Sequence, residues 1–122
     1  MGDESRLNEH PVGGIERLNG AVVVHLVGEL DLYNATEVRA ALLEICAERP
    51  ERLVVNLGGV DFVDSTALSV LIEARTKLEN RQSFLLASPG LETHRALTIS
   101  GLDRHLSVHD TVESALAASV ST

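Results

Sequence analysis

The residues with the most chemical potential lie in Val60-Asp61-Phe62-Val63-Asp64-Ser65-Thr66-Ala67-Leu68. An apolar run from Leu53 to Leu57 and a Gly58-Gly59 break precede this stretch, and a helix-period run to Leu78 follows it. That order sets Ser65 where an exposed loop turns into a helix. Such an end carries unpaired backbone N–H groups and the positive pole of the helix dipole. A hydroxyl there has two uses: it caps the helix, or it accepts a phosphate whose charge the same N–H groups help to hold. Asp64 is itself a good cap, which would make Ser65 the first helical residue. Thr66 is either a second acceptor or an ordinary first-turn residue. A phosphate adds about −1.5 to −2 charge, so beside the Asp64 carboxylate it changes electrostatics more than shape.

A second group, Glu29, Asp31, Tyr33 and Asn34, follows an apolar run that reads as a strand. Loops at this position carry function in parallel-sheet proteins. Asp31 is placed to satisfy N–H groups in its own turn. Tyr33 is an interface residue type, and Asn34 is a partner contact or the cap of the next helix. Enzyme chemistry finds less support. A serine hydrolase usually needs a strained turn such as Gly-x-Ser-x-Gly, which is absent, and nothing singles out His94, His105 or His109 as a base. Scattered histidines with the lone Cys46 give no zinc spacing. Gly13-Gly14 and Gly58-Gly59 lack a phosphate-loop pattern. No catalytic residue, metal or cofactor is expected.

These residues must be positioned by a regular alternation of elements. Ile15–Leu18 and Ala21–Val27 read as strands joined by a tight turn at Asn19-Gly20. Gly28–Tyr33 reads as a connection. A helix from Asn34 carries Val38, Ala41, Leu42 and Ile45 at helical spacing and stops before Pro50. A strand over Arg52–Leu57 and a helix over Ser65–Leu78 come next, the latter with Leu71, Ile72 and Leu78 as core positions. Ser83–Ala87 is a strand ended by Ser88-Pro89-Gly90, and Leu91–Ser100 a helix closed by Gly101. Leu106–Val108 is a last strand, and Asp110-Thr111 caps a helix over Val112–Ala118. The order ββαβαβαβα predicts an α/β domain whose mixed sheet has a parallel portion. His25 breaks an otherwise apolar strand and reads as a rim residue. Cys46 reads as a small, buried or half-buried helix residue.

Composition narrows the function. The 122 residues fit one domain, and 44% hydrophobic with 23% charged residues is ordinary globular content. The formal charge of −8 argues against binding nucleic acid or an anionic membrane surface. Aromatic residues make up only 2%, leaving little for base stacking. No apolar run approaches the roughly 18 residues of a spanning helix, and Met1–Glu9 lacks a secretory layout. A lone cysteine suits a reducing cytoplasm, so a cytoplasmic location is expected.

Three separated segments carry a resemblance to a known family. Gly28-Glu29-Leu30-Asp31 with Ala35, then Asp61–Leu68, then Ile99-Ser100-Gly101-Leu102 with Asp110–Leu116, resemble the motifs of the STAS-domain family. The likeness is to the small, single-domain anti-sigma factor antagonists of bacteria, and it spans Val12 to Ala118. It implies a STAS domain at 12–120, with helices packed mainly on one sheet face, and residues 1–11 before it read as a flexible segment. It also implies that Ser65 is phosphorylated by a partner that is both serine/threonine kinase and anti-sigma factor. The unphosphorylated chain would bind that partner and release the sigma factor, phosphorylation would end binding, and a serine phosphatase would reset the switch. Glu29, Asp31, Tyr33, Asn34, Asp64, Thr66 and Ala67 would surround the site. Ala67 departs from the family, which usually has glycine there. Alanine favours helix by roughly 1 kcal/mol, and its methyl group would stand where a kinase approaches the backbone. The family also includes scaffolds of stress-signalling complexes and subunits of lipid-transport ABC systems, which are alternative roles for this chain. The sequence leaves the oligomeric state open.

Overall fold

The computed structural model describes residues 10–119. Five strands stand side by side in chain order, β1 (Val12–Arg17), β2 (Ala21–Leu30), β3 (Arg52–Val63), β4 (Phe84–Ala87) and β5 (Ser107–His109). β1 is antiparallel to β2, and every later pair is parallel. The connections are α1 (Ala35–Ala47), α2 (Ser65–Lys77) and α3 (Leu91–Ser100), and α4 (Val112–Ala117) follows the last strand. Short 3₁₀ turns at Arg81–Ser83 and Leu102–Arg104 lead toward β4 and β5.

Strands laid down in one direction, with crossovers of one hand, send every connecting helix to the same face. The packing follows that rule. Val22, Val24 and Leu26 of β2 join Val38, Leu42 and Ile45 of α1, Leu68 and Leu71 of α2 and Leu97 of α3 in one large core. The alternate residues Val23, Val54 and Leu85 turn to the other face, where Ala115, Val112 and Leu116 of α4 meet them in a smaller cluster. With so few aromatics, Phe84 is the one buried aromatic among the described residues, and the other large core side chains are branched aliphatics. Full burial of one such side chain stabilises by roughly 1.5–3 kcal/mol.

The Asn19-Gly20 turn is present, with Leu18 and Ala21 exchanging backbone hydrogen bonds and Gly20 at φ +79°. Gly101 closes α3 at φ +80°, and Thr111 caps α4 reciprocally with Ser114. Two expectations are corrected. Gly58-Gly59 does not break its strand, because β3 continues to Val63. A side chain at Gly59 would lie 3.0 Å from Val27 Cγ1 and 3.2 Å from the Leu26 carbonyl, so glycine there permits close strand approach. Likewise Gly28–Leu30 is not a connection but the end of β2. Gly28, at φ +77°, sits where the pairing shifts, Gly28 opposing Val60 and Glu29 opposing Phe62. Both glycines mark bulges rather than ends.

Smaller differences follow from packing. Ile72 is only partly buried, whereas Leu71 and Leu78 are core. Of the segment expected to be loose, residues 1–9 lie outside the described residues. Pro11 is buried, and its carbonyl accepts the Val27 N–H at 2.8 Å. Cys46 is buried and donates its thiol to the Ala74 carbonyl at 3.4 Å. His25, half-buried, lies between Glu16 at 2.5 Å and the Asn56 amide at 2.8 Å.

Candidate functional site

β2 and β3 end together, Leu30 paired with Val63, so the segments after them leave the sheet side by side. A single residue, Asp64, separates β3 from α2. Its extended backbone (ψ 179°) makes it the N-cap, and its Oδ1 accepts the Ala67 N–H at 2.9 Å. Its other oxygen, Oδ2, accepts the Leu32 N–H at 3.0 Å, and its own N–H donates to the Leu30 carbonyl at 3.0 Å. One carboxylate thus starts a helix and ties down the neighbouring loop.

Within that loop Asp31 Oδ1 accepts the N–H groups of Tyr33 at 2.9 Å and Asn34 at 3.3 Å. The Asn34 side chain points back, accepting the Asp31 N–H at 2.9 Å and donating to the Glu29 carbonyl at 2.7 Å. Asn34 therefore occupies the N-cap position of α1 without capping it through its side chain. Both polar residues close their own turn and leave the apolar tips outward. Tyr33 is 90% exposed, and Leu32 and Phe62 are also exposed. Glu29 is exposed beside them.

Because Asp64 supplies the cap, Ser65 becomes the first residue of α2. Its backbone carbonyl accepts the Ser69 hydroxyl at 3.0 Å, while its own hydroxyl has no hydrogen-bond partner among the described residues and the residue is exposed. Asp64 uses the Ala67 N–H, which leaves those of Ser65 and Thr66 open at the positive end of the helix. Thr66 is half-buried in the same turn. Ala67 corrects an expectation. It is 2% exposed, so its methyl group faces the core and cannot obstruct an approaching protein. Beside Ser65 lies an open depression of about 310 Å³, walled by Leu68, Ser69, Ile72, Ser100 and Leu102. The sequence reading did not include this wall. Its signal was Ile72, an apolar residue on the α2 stripe that the core does not cover, and the Ser100-Gly101-Leu102 turn.

The arrangement offers the Ser65 hydroxyl to an incoming reagent, and among the described residues no histidine bonds to it. Among the described residues no helix is long and apolar enough to cross a membrane.

The STAS domain model matches residues 14–115. The chain is 32% identical over 98 residues to the anti-sigma-F factor antagonist RsfB of Mycobacterium tuberculosis, covering 80% of each chain. It is 34% identical over 107 residues to RsfA, named as an antagonist of the same factor in that organism, covering 85% of this chain and 84% of the other. Among solved structures, an anti-sigma factor antagonist from Mycobacterium paratuberculosis superposes with a TM-score of 0.80 at 30% identity, covering 85% of this chain and 89% of that one.

Proposed function

This chain belongs to the STAS domain family, and from that premise we propose that it is an anti-sigma factor antagonist switched by phosphorylation of Ser65. The unphosphorylated chain binds, in the cytoplasm, an anti-sigma factor that is also a serine/threonine kinase, and the sigma factor is released. The kinase transfers the γ-phosphoryl group of ATP to Ser65 Oγ, the hydroxyl proton is lost, and ADP leaves. A serine phosphatase hydrolyses the ester and restores binding.

The observation that carries this reading is the exposed, unpartnered Ser65 hydroxyl at the mouth of α2. The names of the relatives support the partner class. The apolar rim of Leu32, Tyr33 and Phe62 and the depression beside Ile72 offer contact area for that partner. Glu29, Asp31 and Asp64 already make this end acidic. A phosphate added here meets a partner surface chosen for the unmodified charge, and like charges forced together at an interface cost several kcal/mol. The open N–H groups of Ser65 and Thr66 accommodate the phosphate, so the domain stays folded while binding ends.

Affinity purification with Ser65→Ala and Ser65→Asp chains from the native cytoplasm tests the reading. Ser65→Ala is expected to retain a histidine-kinase-like ATPase that Ser65→Asp does not. Equal retention by both, or recovery of a transporter ATPase, would overturn it.

A further inference from the structure

The protein carries a formal charge of −8, yet one cleft gathers three arginines and, among the described residues, no carboxylate. Four of the eight described arginines have evident work. Arg17, Arg39 and Arg95 pair with Glu48, Glu73 and Glu92, and Arg52 donates to the closing carbonyls of α4 and Ala118. Among the described residues, Arg49, Arg75, Arg81 and Arg104 have no side-chain partner. The last three of these line a single cleft of about 380 Å³ whose wall, among the described residues, contains no acidic side chain.

The three arrive from separate places in the chain. Arg75 is in the last turn of α2, where it also complements the helix dipole. Arg81 and Arg104 sit in the 3₁₀ turns that lead into β4 and β5. Gln82, His105 and Ser107 add further polar groups, the Ser107 hydroxyl meeting His109 Nε2 at 3.0 Å. Unpaired guanidinium groups repel one another, and an acidic protein has carboxylates enough to neutralise them. Their convergence without one calls for an external anion.

We propose that this cleft, at the entrance to β4 and β5 and so at the opposite end of the sheet from Ser65, is an oxyanion site that binds a phosphate group. Guanidinium forks match tetrahedral oxyanions through paired N–H donors. A long polyanion is disfavoured, because the acidic remainder of the surface repels every phosphate lying outside the cleft. Free phosphate and a phosphomonoester present the same chemistry to it.

The test is a titration of the ¹⁵N-labelled full chain with inorganic phosphate, ionic strength held constant with sodium chloride, and a parallel titration with glycerol 3-phosphate. Saturable amide shifts confined to residues 81–84 and 104–107 are expected. The Arg81→Gln/Arg104→Gln double variant, both sites being exposed, is expected to keep its thermal midpoint and lose affinity by about tenfold or more. Ser65→Ala is expected to bind phosphate as the parent does, which separates this site from the switch. Whichever ligand saturates at lower concentration identifies the source. Shifts that never saturate with either ligand, that centre on residues 64–67, or that persist unchanged in the double variant would overturn the proposal.

Discussion

Replacing Asp64 by alanine removes an acceptor from two backbone donors in one step. The first is the Ala67 N–H inside the opening turn of α2, held at 2.9 Å. Loss of an N-cap of this kind costs about 1 kcal/mol. The second is the Leu32 N–H, held at 3.0 Å in an exposed position that water can refill. Its loss adds roughly 0.5–1.5 kcal/mol, the usual net worth of a hydrogen bond. The combined penalty of roughly 2 kcal/mol lowers the melting midpoint by about 8 °C for a domain of this length. Asp64→Asn keeps an acceptor of nearly equal capping strength and is expected to cost less than about 1 kcal/mol. Urea denaturation followed by circular dichroism measures both variants, and hydrogen exchange at Leu32 and Ala67 locates the loss. If the alanine variant matched the parent, or the asparagine variant were as damaged as the alanine one, the two-loop clamp assigned to this side chain would be wrong.

Gly59→Val places a branched side chain against Val27 and the Leu26 carbonyl. It is expected to destabilise by roughly 1–3 kcal/mol, read from the shift in the urea midpoint. Burial pushes the Cys46 thiol above its usual pKa, so iodoacetamide is expected to label native protein far more slowly than protein in urea, as mass spectrometry would record. Glu48 and Glu73 are held below the usual carboxylate range by hydrogen bonds from Arg17 and Arg39. A carboxyl lowered in the folded state contributes stability above its unfolded value, about 4.3. That contribution fades as pH falls through the folded value, so Glu48→Gln/Glu73→Gln is expected to flatten the acid side of a midpoint-versus-pH curve. A double variant with an unchanged acid limb would contradict this.

Much of the architecture was legible because its signals are local. Helical spacing of Val38, Leu42 and Ile45, the Asn19-Gly20 turn and the Gly101 stop each fix a φ/ψ choice within a few residues. The reading of Gly28 and Gly58-Gly59 as ends failed for a physical reason. A glycine at a positive φ or at a close approach looks the same in a sequence whether the strand ends or bulges, and only the partner strand decides. The candidate site was legible in part. Ser65 beside Asp64 at a helix start follows from residue type and order. That the Asp64 carboxylate would reach Leu32 does not, because the contact joins residues far apart in the chain through the β2–β3 pairing. Nor could the sequence tell that the Ala67 methyl faces inward, which depends on how α2 rolls against the sheet, or that Arg75, Arg81 and Arg104 converge, which depends on how the turns before β4 and β5 sit beside the end of α2.

The proposed role rests on a chemical event at one side chain. The most direct measurement incubates the chain with the anti-sigma factor ATPase recovered on Ser65→Ala, adds ATP, and maps phosphate by mass spectrometry while following the complex by gel filtration. A single phosphate on Ser65, with dissociation of the complex, is the predicted result. Phosphate on Thr66 or Ser69 instead, or a complex that survives full modification of Ser65, would contradict it.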